Sequence, residues 1–227
     1  MTMNILVLHA SENSHGNDAK GAFIPESVFL NRTRTEAGDK VQVFPFKNSL
    51  AGPKRFEEFC KLIDQAEPFD AFVYLGHGLR NSLPSANVTQ ANRKKFTDLL
   101  VKKAKNKKKL IVTLFACSTA ETTTGQPGGE GGFADKVRDD LVAAGFTQGW
   151  IDAHPVPGHA TQNSLVKRFY ISADEAAKGG SWIVAPGSPE FSKWKQRLNS
   201  PYKKDPFRFM FPYLTATEIL NECQNKK

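Results

Sequence analysis

Four short apolar runs limit what this chain can fold into: NILVLHA from Asn4, VQVFPF from Val41, AFVYLG from Ala71 and KLIVTLFA from Lys109. Each is rich in Val, Ile, Leu and Phe and polar mainly at its ends, the pattern of a strand covered on both faces. Amphipathic segments separate them. Alternation of buried strands with helical segments implies an α/β fold around a mainly parallel sheet flanked by helices.

The connecting segments carry their own signals. PKRFEEFCKLIDQAE opens with Pro53 near the first helical position and sets Phe56, Phe59, Cys60 and Ile63 at helical spacing. NRKKFTDLLVKKAK does the same with Phe96, Leu99 and Leu100, and GFADKVRDDLVAAG with Phe133, Val137, Leu141 and Val142 before Gly145 closes it. GWIDAH reads as a fifth strand and GSWIVAP as a further one, while NSLVKRFYI fits a helix or a helix–strand junction. Length favours one domain over 1–227, with a core of about 3–185 and an appended subregion of about 186–227, helical near YLTATEILNECQ.

Hydrophobic residues at 40% and charged residues at 24% exclude wholesale disorder. The apolar N-terminal run is too short to cross a membrane, and it lacks a basic flank and a cleavage site, so no membrane partner is expected. Cys60, Cys117 and Cys223 are too few and too dispersed for a disulfide framework or a paired zinc pattern, which fits a reducing, cytoplasmic setting. Much of the net charge of +8 lies in Lys102–Lys109, a run that fits the solvated end of a helix. No aromatic residue interleaves it and no nucleic-acid motif accompanies it, so nucleic acid is not an expected partner.

In open parallel sheets, ligands collect at the carboxyl ends of the strands. The third run ends in Gly76-His77-Gly78 and the fourth in Ala116-Cys117. If those strands are neighbours, an imidazole and a thiol emerge side by side. The imidazole can accept the thiol proton and make a nucleophile for a carbonyl. The amides of Gly78 and Cys117 are candidate donors for the oxyanion that such an attack creates.

Apolar block, His-Gly, apolar block, Ala-Cys: this order resembles the caspase-like clan of cysteine peptidases, with caspases, metacaspases, legumain, gingipains and bacterial CHAT peptidases among its members. His77 precedes Cys117 by 40 positions here, against about 50 in the caspase pattern. The likeness is strongest to CHAT-type domains, through GHG, ACSTA and the run from Gly128 to Tyr170, and covers about residues 70–170. It implies a caspase-like three-layer fold and a cysteine endopeptidase acting through a thioester, with His77 as general base, Cys117 as nucleophile and the Gly78 and Cys117 amides as oxyanion hole. It implies no cofactor, a protein or peptide substrate, and activation by a protein partner or by proteolysis. Ala120 stands where the CHAT pattern commonly has Gly. Phe115 stands where basic-specific members carry an acid, so a preference for Lys or Arg is not implied.

The dyad does not distinguish peptide hydrolysis from an acyl transferase or amidase using the same thioester. A non-catalytic caspase-like binding module would share the pattern. His9, His15 and Asp18 lie in or beside the polar stretch after the first run, and Asp152 and His154 end the fifth. Of these, His15, Asp18, Asp152 and His154 are expected to bind substrate, with Asp152 suited to a basic side chain. No zinc site is expected from His154, His159 and Cys117, which lack closely spaced ligand pairs. TTTGQPGGEGG lacks the lysine of a phosphate loop and suits a flap or a self-cleavage segment.

Overall fold

The apolar runs become the central strands of a seven-stranded mixed sheet. In a computed structural model describing residues 2–122, 130–157, 165–176 and 178–189, the strands are β1 (Asn4–Ala10), β2 (Lys40–Phe46), β3 (Ala71–Leu75), β4 (Lys109–Phe115), β5 (Gln148–Ala153), β6 (Val166–Tyr170) and β7 (Ser181–Val184). Their order is β2-β1-β3-β4-β5-β6-β7. The first five are parallel, and β6 and β7 add antiparallel at one edge. Every residue of β3 is buried, as its unbroken apolar sequence requires.

Helices α1 (Ile24–Glu36), α2 (Gly52–Gln65), α3 (Arg93–Lys103) and α4 (Phe133–Ala143) flank the sheet. The apolar stripe of α2 is buried as its spacing predicts, at Phe56, Phe59, Cys60 and Ile63. Phe59 and Phe96 pack against Phe72, and Phe59 also meets Tyr74, so α2 and α3 share an aromatic layer on β3. Helix α1 has no counterpart in the sequence reading. It buries Glu26 and Ser27 beside Leu30 and leaves Val28 61% exposed, so it carries no clean apolar stripe to find. The ambiguous NSLVKRFYI segment supplies β6, paired antiparallel with β5.

The lysine run has structural work of its own. Lys107 Nζ donates to the carbonyls of Val101 and Lys102 at the end of α3, and Lys102 pairs with Asp64. Lys108 Nζ reaches the carbonyl of Gly145, the left-handed residue that follows α4. Cations at these carbonyls satisfy groups that a helix end leaves open. No helix among the described residues is long and apolar enough to cross a membrane. Cys223 and the expected C-terminal helix lie outside the described residues, as do His159 and most of the glycine-rich segment.

Gly149 fixes how closely β5 can approach β4. Its φ is +102°, and a Cβ there would lie 1.8 Å from the carbonyl oxygen of Leu110. Gly149→Ala is expected to cost about 3 kcal/mol or more, since backbone rather than a side chain must give way. Urea unfolding measures it, and an unchanged midpoint would contradict this packing.

Candidate active site

The pairing of β3 with β4 brings together the ends of the two runs that lead into His77 and Cys117. Leu75 is the register partner of Phe115, and His77 and Cys117 each lie two residues beyond that pair. The Gly76 N–H donates to the Phe115 carbonyl at 3.4 Å, carrying the contact past the last paired residues. Neighbouring strands lie about 4.8 Å apart, so the main chain at His77 and at Cys117 continues from adjacent strand ends at one edge of the sheet.

The two glycines around His77 have separate reasons. A Cβ on Gly76 would stand 2.5 Å from the phenol oxygen of Tyr74. Its absence lets that buried hydroxyl pass and donate to the His77 carbonyl at 3.0 Å. A Cβ on Gly78 would meet Ala116 Cβ and the Cys117 carbonyl oxygen, each at 2.6 Å. Glycine therefore seats the histidine segment directly on the Ala-Cys segment. The His77 N–H donates to Ser85 Oγ at 2.9 Å, fixing the main chain from the other side. No hydrogen bond of the Gly78 amide is formed among the described residues.

The chain turns sharply after the cysteine. Ser118 has φ +57°, a left-handed conformation uncommon for a residue with a side chain. Thr119 Oγ1 donates to the Ala116 carbonyl at 3.0 Å, and the Ala120 N–H donates to the His154 carbonyl at 2.9 Å. Ala120 is wholly buried. The Ala134 N–H then donates to the Thr119 carbonyl, tying the turn to α4. Cys117 is half-buried, whereas Cys60 is buried in the core and its thiol is pushed up to about 11 by desolvation. Of the two cysteines among the described residues, the one at the strand end is the accessible one.

Asp18 and His15 also reach this place. Asp18 precedes a wide π-type turn over Ala19–Phe23 and lies 2.6 Å from His77 Nε2 through Oδ2. Its carboxylate is buried and also accepts from the Ser14 N–H and hydroxyl, the His15 N–H and the Ala19 N–H. Desolvation opposes its ionisation, but the bonds from His77, Ser14 and Ala19 outweigh that and hold the carboxyl well below the usual range. His15 is exposed and edge-on to the His77 ring at 5.0 Å, and Phe23 meets the same ring edge-on at 5.3 Å. His15, Asp18 and His77 could be considered as metal ligands, their ligand atoms lying within 4.8 Å of one another. Ligands bonded to one zinc at 2.0–2.2 Å sit about 3.3 Å apart, so the 2.6 Å contact is the spacing of a hydrogen bond.

Asp152 and His154 turn elsewhere. Arg168 holds both carboxylate oxygens of Asp152 at 2.8 Å, Trp150 Nε1 donates to the same group, and the Arg168 guanidinium lies over the Trp150 ring. A basic substrate side chain would have to displace that buried partner. His154 is buried, with Nδ1 3.0 Å from the Leu165 carbonyl and no partner for Nε2 among the described residues. His9 is likewise buried, its Nδ1 near the Ala10 carbonyl. Tyr74 and Ser85 were not foreseen from sequence. A tyrosine inside an apolar run and a serine in a turn carry no local signal of the bonds they make.

Comparison with known proteins assigns no family. No family model matches, and no curated protein is similar. Among solved structures, an aromatic amino acid aminotransferase with 3-indolepropionic acid aligns at TM-score 0.35 and 14% identity, over 65% of this chain and 31% of that one. The same type of enzyme with 3-indolebutyric acid aligns at 0.34 and 14%, over 65% and 30%. The chain thus spans about a third of the length of those structures.

Burial pushes His154 down to about 4, against 6.5 for a free side chain, and lowers His9 in the same direction. Between those two values of pH the unfolded chain binds more protons than the folded one. The His154 contribution to stability is therefore full above about 6.5 and is lost as pH drops toward 4, by roughly 1–3 kcal/mol. Melting curves across this window should fall less for His154→Asn than for the wild type, and parallel curves would refute the assignment.

Proposed function

We propose that this chain is a caspase-like cysteine endopeptidase of the CHAT type, with Cys117 as nucleophile and His77 as general base. One observation carries the reading: β3 and β4 are parallel neighbours in the register Leu75↔Phe115, so His77 and Cys117 leave the sheet at equivalent positions. The mainly parallel sheet with helices around it agrees with the architecture that the sequence resemblance implies.

The chemistry follows from the placement. His77 takes the Cys117 proton, and the thiolate attacks the carbonyl carbon of the scissile bond, forming a C–S bond while the π electrons move onto oxygen. The Gly78 and Cys117 amides are the donors offered to that oxyanion. When the intermediate collapses, the C–N bond breaks and the imidazolium protonates the departing amine, leaving a thioester. Water, deprotonated by His77, attacks the thioester. The C–S bond then breaks, the thiol regains its proton and the carboxylic acid is released.

A diverse peptide library incubated with the purified protein, read by mass spectrometry, tests this. Cleavage by the wild type and a loss of at least about 10³-fold in both Cys117→Ala and His77→Ala is expected. Cleavage that persists in both variants would overturn the assignment. So would silence of all three proteins with cell extract present as a source of activators, if a peptide electrophile also fails to label Cys117.

A further inference from the structure

A general base needs its ring held in one orientation and one tautomer, because only the nitrogen without a proton can accept one. In this site Nε2 of His77 is committed. It faces Oδ2 of Asp18 at 2.6 Å, and the carboxylate is buried, ionised and acceptor-only. The nitrogen facing it must therefore be the one that carries hydrogen. Phe23 and His15 also meet the ring at near-perpendicular angles, 87° and 80°. Its main chain is gripped by Tyr74 and Ser85.

We infer that Asp18 is a positioning residue for His77: it fixes the Nε2–H tautomer, leaves Nδ1 as the proton acceptor for Cys117, and stabilises the imidazolium formed when that proton arrives. This rests on the reading of His77 and Cys117 given above. It assigns Asp18 a different role from the substrate contact expected of its loop. The carboxylate is buried and filled by donors from Ser14, His15, Ala19 and His77, so a substrate group would have to displace one of them. The same carboxylate folds the loop over residues 14–19, so the loop and the base are built on one anion. Proton transfer is then a local exchange: the Cys117 proton moves to Nδ1, Nε2 keeps its hydrogen toward Asp18, and no proton passes to the carboxylate.

The test uses Asp18→Asn, with Ser14→Ala as the control that removes the Ser14 hydroxyl from the same oxygen and from His15 Nδ1, Ser14 itself making no contact with His77. Three readouts apply: ¹⁵N NMR of the His77 ring, the rate of Cys117 alkylation by iodoacetamide at neutral pH, and kcat and KM on a peptide cleaved by the wild type. The wild-type ring should show Nε2–H, and Ser14→Ala should keep it, with alkylation within about 3-fold. Asp18→Asn, whose amide can offer hydrogen to Nε2, should shift the ring toward Nδ1–H, slow alkylation at least 10-fold and lower kcat roughly 10²–10⁴-fold with KM nearly constant.

An unchanged tautomer and alkylation rate in Asp18→Asn would overturn the inference and leave the Cys–His reading standing. If His77→Ala itself fails to slow alkylation, the dyad is absent and the inference falls with it. If Asp18→Asn does not fold, the wild-type ring still decides, and an Nδ1–H ring overturns the inference.

Discussion

The parallel ladder between β3 and β4 is the constraint on which the rest of the site depends. A strand's register sets where its last side chain points, and a slip of one residue would turn His77 or Cys117 to the opposite face. That register is held on both sides of the last pair. Before it, every residue of β3 is buried in the sheet. After it, the contact of Gly78 with the Ala116–Cys117 backbone leaves no room for a side chain. Tyr74 and Ser85 then pin the histidine's own peptide groups, so the His77 segment is held by two buried side chains.

Much of this was legible from the sequence because it depends on local pattern. Strands buried on both faces show as continuous apolar runs, and α2, α3 and α4 show as stripes on otherwise polar helices. His77 and Cys117 stood out because each closes such a run with residues that a core does not require. What escaped notice depends on tertiary partners. Helix α1 buries Glu26 and Ser27 beside Leu30, so periodicity passes over it. The contact of Asp18 with His77 spans 59 positions, and nothing near either residue announces the other. Asp152 looked like a free acid at a strand end, yet its partner Arg168 lies across an antiparallel pairing that the sequence left undecided.

Two buried arginines organise the chain beyond the strand ends. Arg168 is locked to Asp152 between β6 and β5, and Arg138 of α4 bonds Asp135 and also reaches the Lys178 carbonyl. Buried pairs of this kind add little net stability, because desolvation offsets their attraction, but removing one partner strands a charge. They act mainly as locators: each is satisfied in one arrangement of the segments it joins. The first fixes the antiparallel edge against the parallel sheet, and the second joins α4 to the segment leading into β7.

The loop after β1 is closed by a single carboxylate, and this has a consequence for how the chain can vary in length. Loops at strand ends usually accept insertions cheaply. Here Ser14, His15, Ala19 and His77 all measure their positions from Asp18. An added residue between Ser14 and Ala19 would displace the anion from the imidazole, the loop, or both. Length variation in this part of the molecule is therefore confined to sites outside that short interval, and the loop behaves as a fixed part of the scaffold although it lies at the surface.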